Sequence, residues 1–117
     1  MSYDIRLLDP VTRKSILFDK PHQMRGGTYD PSGTNEAWLN VTYNYSSIFE
    51  RLGPKGIRSI YGQTGAKSIL VLKKAIESLG DNINKDCWEA TEGNAKRALL
   101  GLLAFAQMRP DGVWSGD

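Results

Sequence analysis

The sequence is poor in the residues that carry chemistry. It has one cysteine, Cys87, and one histidine, His22. A single cysteine excludes an internal disulfide, and with it the stapled frameworks of small secreted domains. Zinc has too few ligands to choose from. A cysteine nucleophile would need Cys87 and His22 to meet, with a third group to orient them. Cys87 stands beside Trp88 in a segment that reads as half-buried, where a thiol behaves as a small hydrophobe. A serine hydrolase would have to use His22 as its base, and the glycine-flanked serine elbow is missing. No spacing forces two carboxylates together for acid–base work: Asp30 and Glu36 share a long loop, and Glu89 and Glu92 flank the last helix. The case for an enzyme is weak by elimination, and no cofactor is expected.

Long apolar runs are missing too. None would span a bilayer, so no membrane partner is expected. The opening residues, Met1 to Arg6, lack an apolar signal core, and a cytoplasmic location is the expectation. Charge of one sign is scarce. The net charge is +2. Basic residues are scattered from Arg6 to Arg109, without the stripe that a nucleic-acid polymer requires.

What remains is an ordinary globular composition. The chain has 117 residues, 40% hydrophobic and 24% charged, enough for one domain with one core. The clearest stretch is Ala37 to Tyr45, which alternates without a break. Leu39, Val41, Tyr43 and Tyr45 fall on one side of an extended strand; Trp38, Asn40, Thr42 and Asn44 fall on the other. The first face suits a core. The second carries two amides, a hydroxyl and an indole. It is either a wet sheet face or a binding platform.

The other elements follow in order. Tyr3 to Leu8 is a strand, and Asp9-Pro10 starts a turn to a second strand over Ser15 to Phe18. From Asp19 to Glu36 there is no periodicity, and loops of that length are uncommon in small domains unless they are functional or disordered. Within it, Arg25, Gly26, Gly27 and Thr28 combine a guanidinium, a hydroxyl and glycine-freed N–H groups, the chemistry of an anion site. The alternative is a plain surface loop. Ser47 and Glu50 fit a capping box for a short helix. Ile57 to Tyr61 is either strand or a turn of helix. Gly62 to Ser68 leads into an amphipathic helix with Ile69, Leu72, Ala75, Ile76 and Leu79 on its apolar face and Gly80 at its expected left-handed cap.

That helix entry resembles a P-loop without being one. Two residues separate its glycines instead of four, and Ala66 precedes Lys67 where glycine is needed. Lys67 in the first turn is disfavoured by the macrodipole unless an anion offsets it, so an anion site and a solvated lysine are both open. Thr91 caps a last helix that runs to about Gln107. Ala95, Ala98, Leu99, Leu102, Leu103 and Ala106 form its stripe, with Leu100, Ala104 and Phe105 lying off it. Such a helix is central in the fold or shared with another subunit, and a homo-oligomer is expected. Val113-Trp114 folds back onto the body, and Trp88 is expected to point inward. Asp111 and Asp117 alone are too few for an oxygen-only metal site.

The fold class is therefore α+β: a small antiparallel sheet with two or three helices, the C-terminal helix central or at an oligomer interface. The binding chemistry comprises Arg25, Arg58 and Lys67 for an anion, Tyr29, Trp38 and Tyr61 for a flat ring, and Asn40, Thr42 and Asn44 for polar edges. Together these suit a nucleotide-sized pocket. The stretches Glu36 to Ser46, Lys55 to Gly65 and Thr91 to Asp117 resemble a family of short uncharacterised proteins of bacteria and their phages. The resemblance covers most of the chain. It implies a setting and no residue roles: small phage proteins of this kind are similar, as a class, to sponges that sequester host immune signals. The expected function is binding of a small phosphorylated ligand, such as a nucleotide, without turnover. A protein–protein module that docks through the long loop and last helix is the alternative, and a small nucleotide hydrolase a third.

Overall fold

The computed structural model describes residues 1–23 and 33–117. In chain order the elements are β1 (Ser2–Leu8), β2 (Leu17–His22), β3 (Thr34–Glu36), β4 (Trp38–Thr42), α1 (Gly65–Ser78), α2 (Glu92–Met108) and β5 (Val113–Ser115). Three short 3-10 turns, Tyr43–Tyr45, Ile48–Leu52 and Gly56–Ile60, fill the stretch between β4 and α1. One antiparallel sheet has the order β4-β1-β5, and β2 pairs with β3 in a second. The α+β class, with its small antiparallel sheet and central last helix, is the one expected.

The alternation in β1 works as the pattern requires. Tyr3, Ile5 and Leu7 are buried, and the residues between them are half-exposed. Leu39 and Val41 of β4 join them. Helix α2 closes the core from the other side with Ala95, Ala98, Leu99, Leu102, Phe105 and Ala106 almost fully buried. Its near-total apolarity reflects a central position. Phe105, expected off the stripe, is covered within the same chain: Phe18 of β2 stacks on it with centroids 5.5 Å apart. Leu100 alone among its large apolar residues before Met108 stays open, at 46% exposure.

Several expected features differ. Strand β2 starts later than Ser15 and leaves β1 to pair with β3. Only the base of the hairpin survives, through Asp9 N–H to Lys14 O at 2.8 Å and Ile16 N–H to Leu7 O at 3.0 Å. Pro21 fits this detached ribbon, since proline is tolerated at a sheet edge and not inside a sheet. Strand β4 ends at Thr42, and the next three residues coil. Ser47 makes no capping bond, so the Ile48–Leu52 turn forms without the capping box. Helix α1 ends at an extended Leu79, not at a left-handed Gly80. Arg51 Nη1 donates to Ser78 O at 2.7 Å and satisfies a final carbonyl instead. Trp88 is 48% exposed. Its loop is anchored through the main chain, with Tyr45 Oη donating to Cys87 O and Asn44 Nδ2 to Trp88 O, so the indole is not needed as an anchor.

The C-terminal segment locks the two helices. Trp114 is 1% exposed and its Nε1 donates to Ser68 Oγ at 2.7 Å; Ser68 Oγ in turn donates to Gly65 O at 2.8 Å. A buried indole N–H requires such a partner. Ser68→Ala leaves that donor unpaired, at a cost of about 1–3 kcal/mol. Urea unfolding should register this as a lower midpoint with an unchanged slope; an unchanged midpoint would mean that the indole finds another acceptor.

Candidate functional site

The polar face of β4 is largely consumed by its neighbour. Asp4 of β1 pairs with Asn40 and Arg6 pairs with Trp38. The ladder bonds flanking the pair, Leu7 N–H to Ala37 O and Tyr43 N–H to Met1 O, fall on odd residues. Even residues therefore occupy the non-hydrogen-bonded sites, where side chains approach closest. Asp4 Oδ1 accepts from Asn40 Nδ2 at 2.9 Å and from Trp38 Nε1 at 3.0 Å, and Asn40 Nδ2 also donates to Ser2 Oγ at 2.9 Å. The Arg6 guanidinium lies 5.9 Å from the Trp38 ring centroid. Thr42 is fully buried, and its hydroxyl accepts from Asn44 N–H at 3.2 Å to cap the 3-10 turn. Asn44 leaves the row with that turn. The row of Asn40, Thr42 and Asn44 is thus bent at Thr42.

The glycine-rich entry to α1 is also explained by packing. Its first four N–H groups are occupied inside the chain: Gly65 by Gly112 O, Ala66 by Pro110 O, Lys67 by Thr64 Oγ1 and Ser68 by Thr64 O. A Cβ on Gly65 would lie 2.9 Å from Arg109 O and 3.3 Å from the Ala106 Cα, so the glycine permits close helix contact. Gly62 has φ of +86°, a turn that favours glycine. Lys67 remains exposed, but the backbone donors of the helix end are engaged within the chain.

Arg58 and Tyr61 are brought together. They leave the Gly56–Ile60 turn toward the C-terminal segment. Arg58 Nε lies 3.0 Å from both carboxylate oxygens of Asp117, and its guanidinium sits 5.2 Å from the Tyr3 ring centroid. Tyr43 packs on Tyr3, centroids 4.4 Å apart, and completes the aromatic wall. The pair is open to water, with side-chain exposures of 47% and 49%. The hydrogen bond to Asp117 raises the Arg58 pKa above its ordinary value. Tyr61 lies against Gly116, where a Cβ would meet its Cζ at 2.1 Å. Its hydroxyl is buried with no hydrogen-bond partner among the described residues. Burial first, then the charge of Asp117, pushes its phenol well above the ordinary range. The other expected residues are engaged elsewhere: Trp38 and Asn40 at Asp4, Thr42 within its own turn, Asn44 at Trp88 O and the Lys67 N–H at Thr64. Arg25, Gly26, Gly27, Thr28 and Tyr29 lie outside the described residues. Asp117 and Tyr3 were not anticipated here. An aromatic residue at an odd position of β1 was a visible signal for Tyr3, whereas nothing local ties residue 117 to residue 58.

Asp111 is engaged by Arg109 at 2.9 Å, and Asp117 by Arg58. Among the described residues no group of three or more histidines, cysteines or acids could hold a metal ion, and no helix is long and apolar enough to cross a membrane. Compared with family models, curated proteins and solved structures, the chain gives no match.

Four carboxylates sit below their ordinary range. The Asn40 amide is the leading cause for Asp4, the N–H groups of Thr12 and Val11 for Asp9, the Gly80 N–H for Glu92 and the Arg109 guanidinium for Asp111. A lowered folded-state pKa contributes stability that is present above the unfolded value, about 4, and lost as pH falls through the folded one. Stability should therefore decline below about pH 4. Asp4→Asn keeps an oxygen for Trp38 and Asn40, so it should fold at neutral pH and lose stability less steeply in acid. Urea midpoints measured against pH test this, and parallel curves for the two proteins would contradict it.

Proposed function

We propose that the protein binds a small phosphorylated ligand, a nucleotide being the leading candidate, and does not turn it over. One observation carries the reading: a guanidinium flanked by tyrosine rings already holds a carboxylate at hydrogen-bonding distance in an open position. A phosphate is chemically close to that carboxylate and offers more acceptor oxygens. The Arg58–Asp117 pair is solvent-exposed, and exposed pairs are weak enough for a stronger anion to displace. Tyr43 and Tyr61, both half-buried, keep ring surface for stacking. A place among phage proteins that sequester host signals remains part of this proposal, supported by the resemblance alone.

Calorimetric titration with a panel of mono-, di- and cyclic nucleotides tests the site. Arg58→Ala should weaken binding at least about tenfold, the loss of a charge-assisted bond. Asp117→Asn should tighten it by up to about fivefold, because the competing carboxylate is gone. Wild-type affinity in both variants would place the ligand elsewhere.

A second reading, a protein–protein module, is favoured by exposed apolar side chains. Leu17, Leu100 and Met108 are 65%, 46% and 52% exposed. Self-association through α2 is the form we propose for it. Leu100→Glu should leave the chain folded by circular dichroism and reduce its mass by light scattering. A wild-type protein that is already monomeric would end this reading of α2.

A further inference from the structure

A second region, sharing no residue with the Arg58 corner, has the build of a ligand slot. A cleft of about 340 Å³ opens between β2 and the end of α2, lined by Phe18, Asp19, Lys20, His22, Phe105 and Met108. Its volume falls at the lower end of the range for small-molecule sites, about 300–1,000 Å³. The strand explains its composition. Phe18 and His22 both contact the Phe105 ring, at 5.5 and 5.1 Å between centroids, so even positions of β2 face α2 despite the irregularity in its pairing. Lys20 lies between them on the same side. Asp19 is out of phase with them by alternation and reaches the cleft only at its rim. The His22 ring is held by its Nε2, 2.7 Å from Glu36 O. A carbonyl only accepts, so that nitrogen carries the proton.

The slot is thus bordered by the rings of Phe18 and His22, both packed on Phe105, which is fully buried and holds them in place from beneath. Met108 borders it with a flexible thioether, a favourable neighbour for an aromatic face. The one cation there, Lys20, makes no ion pair with any described residue. Rings on several sides favour a flat ring between them. An unpaired ammonium beside them favours negative charge on that ring. We propose that this cleft binds a planar aromatic molecule carrying one anionic group, an aryl sulfonate, carboxylate or phosphate. The ring lies between Phe18 and Met108, and the anion reaches Lys20. This assignment stands apart from the Arg58 reading and does not need it.

Naphthalene-2-sulfonate is the probe, with uncharged 2-naphthol as its companion. Binding is followed by the methyl resonance of Met108 in methionine-labelled protein. The Met108 methyl should shift upfield and saturate with a dissociation constant of about 1 mM or tighter for the sulfonate. Lys20→Glu, an exposed change that leaves the fold intact, should weaken the sulfonate about tenfold and leave 2-naphthol unchanged. Arg58→Ala should alter neither. A Met108 methyl that does not saturate overturns the site. Equal sulfonate affinity in Lys20→Glu overturns the charge assignment, and with it the ligand class.

Discussion

The hydrogen bond from Trp114 Nε1 to Ser68 Oγ joins the two ends of the fold. It buries an indole N–H that would otherwise be an unmet donor, on a hydroxyl that is itself held by Gly65 O. Around it the C-terminal turn fits into the start of α1. Gly112 O and Pro110 O accept from the first two amides of the helix. Trp114 N–H donates to Gln63 O, and Gly62 N–H returns the bond to Trp114 O. Strand β5 is thereby pinned between β1 and the 62–64 segment. The same closure carries Gly116 across Tyr61 and Asp117 to Arg58. Core and candidate site rest on one docking of the tail.

That closure also redirects a set of residues that resembled binding groups. Gly62, Gly65 and the helix amides serve turn geometry, helix contact and capping. Asp4 does the corresponding work on the sheet, collecting Trp38 and Asn40 at close-approach positions. The exposed Arg58–Asp117 pair differs from these: it is a charge whose partner is displaceable. Lys20 makes no ion pair among the described residues and stands beside a cleft.

Much of the architecture was legible because it is periodic. The odd residues of β1, the start of β4 and the apolar faces of α1 and α2 all follow from local spacing, and Thr91 caps α2 as its sequence position suggests. What was illegible depends on distant partners. Tyr43 to Tyr45 read as a continuation of the strand until Asn44 N–H turns back on the Thr42 hydroxyl. Trp88 reads as core until carbonyls of its own loop are taken by Tyr45 and Asn44. Leu17 and Phe18 read as the partner of β1 until Pro21 and the β3 segment draw them away. In the candidate site, Arg58 and Tyr61 were legible by residue type and proximity. Asp117 was not, because 59 positions separate it from the guanidinium it meets.

Native mass spectrometry of the gently purified protein, with a panel of phosphorylated metabolites added, tests the binding account most directly. The account predicts a discrete adduct of nucleotide mass on the folded chain, lost in Arg58→Ala and unchanged in mass over time. Bare protein with every member of the panel would contradict it, and so would an adduct that converts to a product.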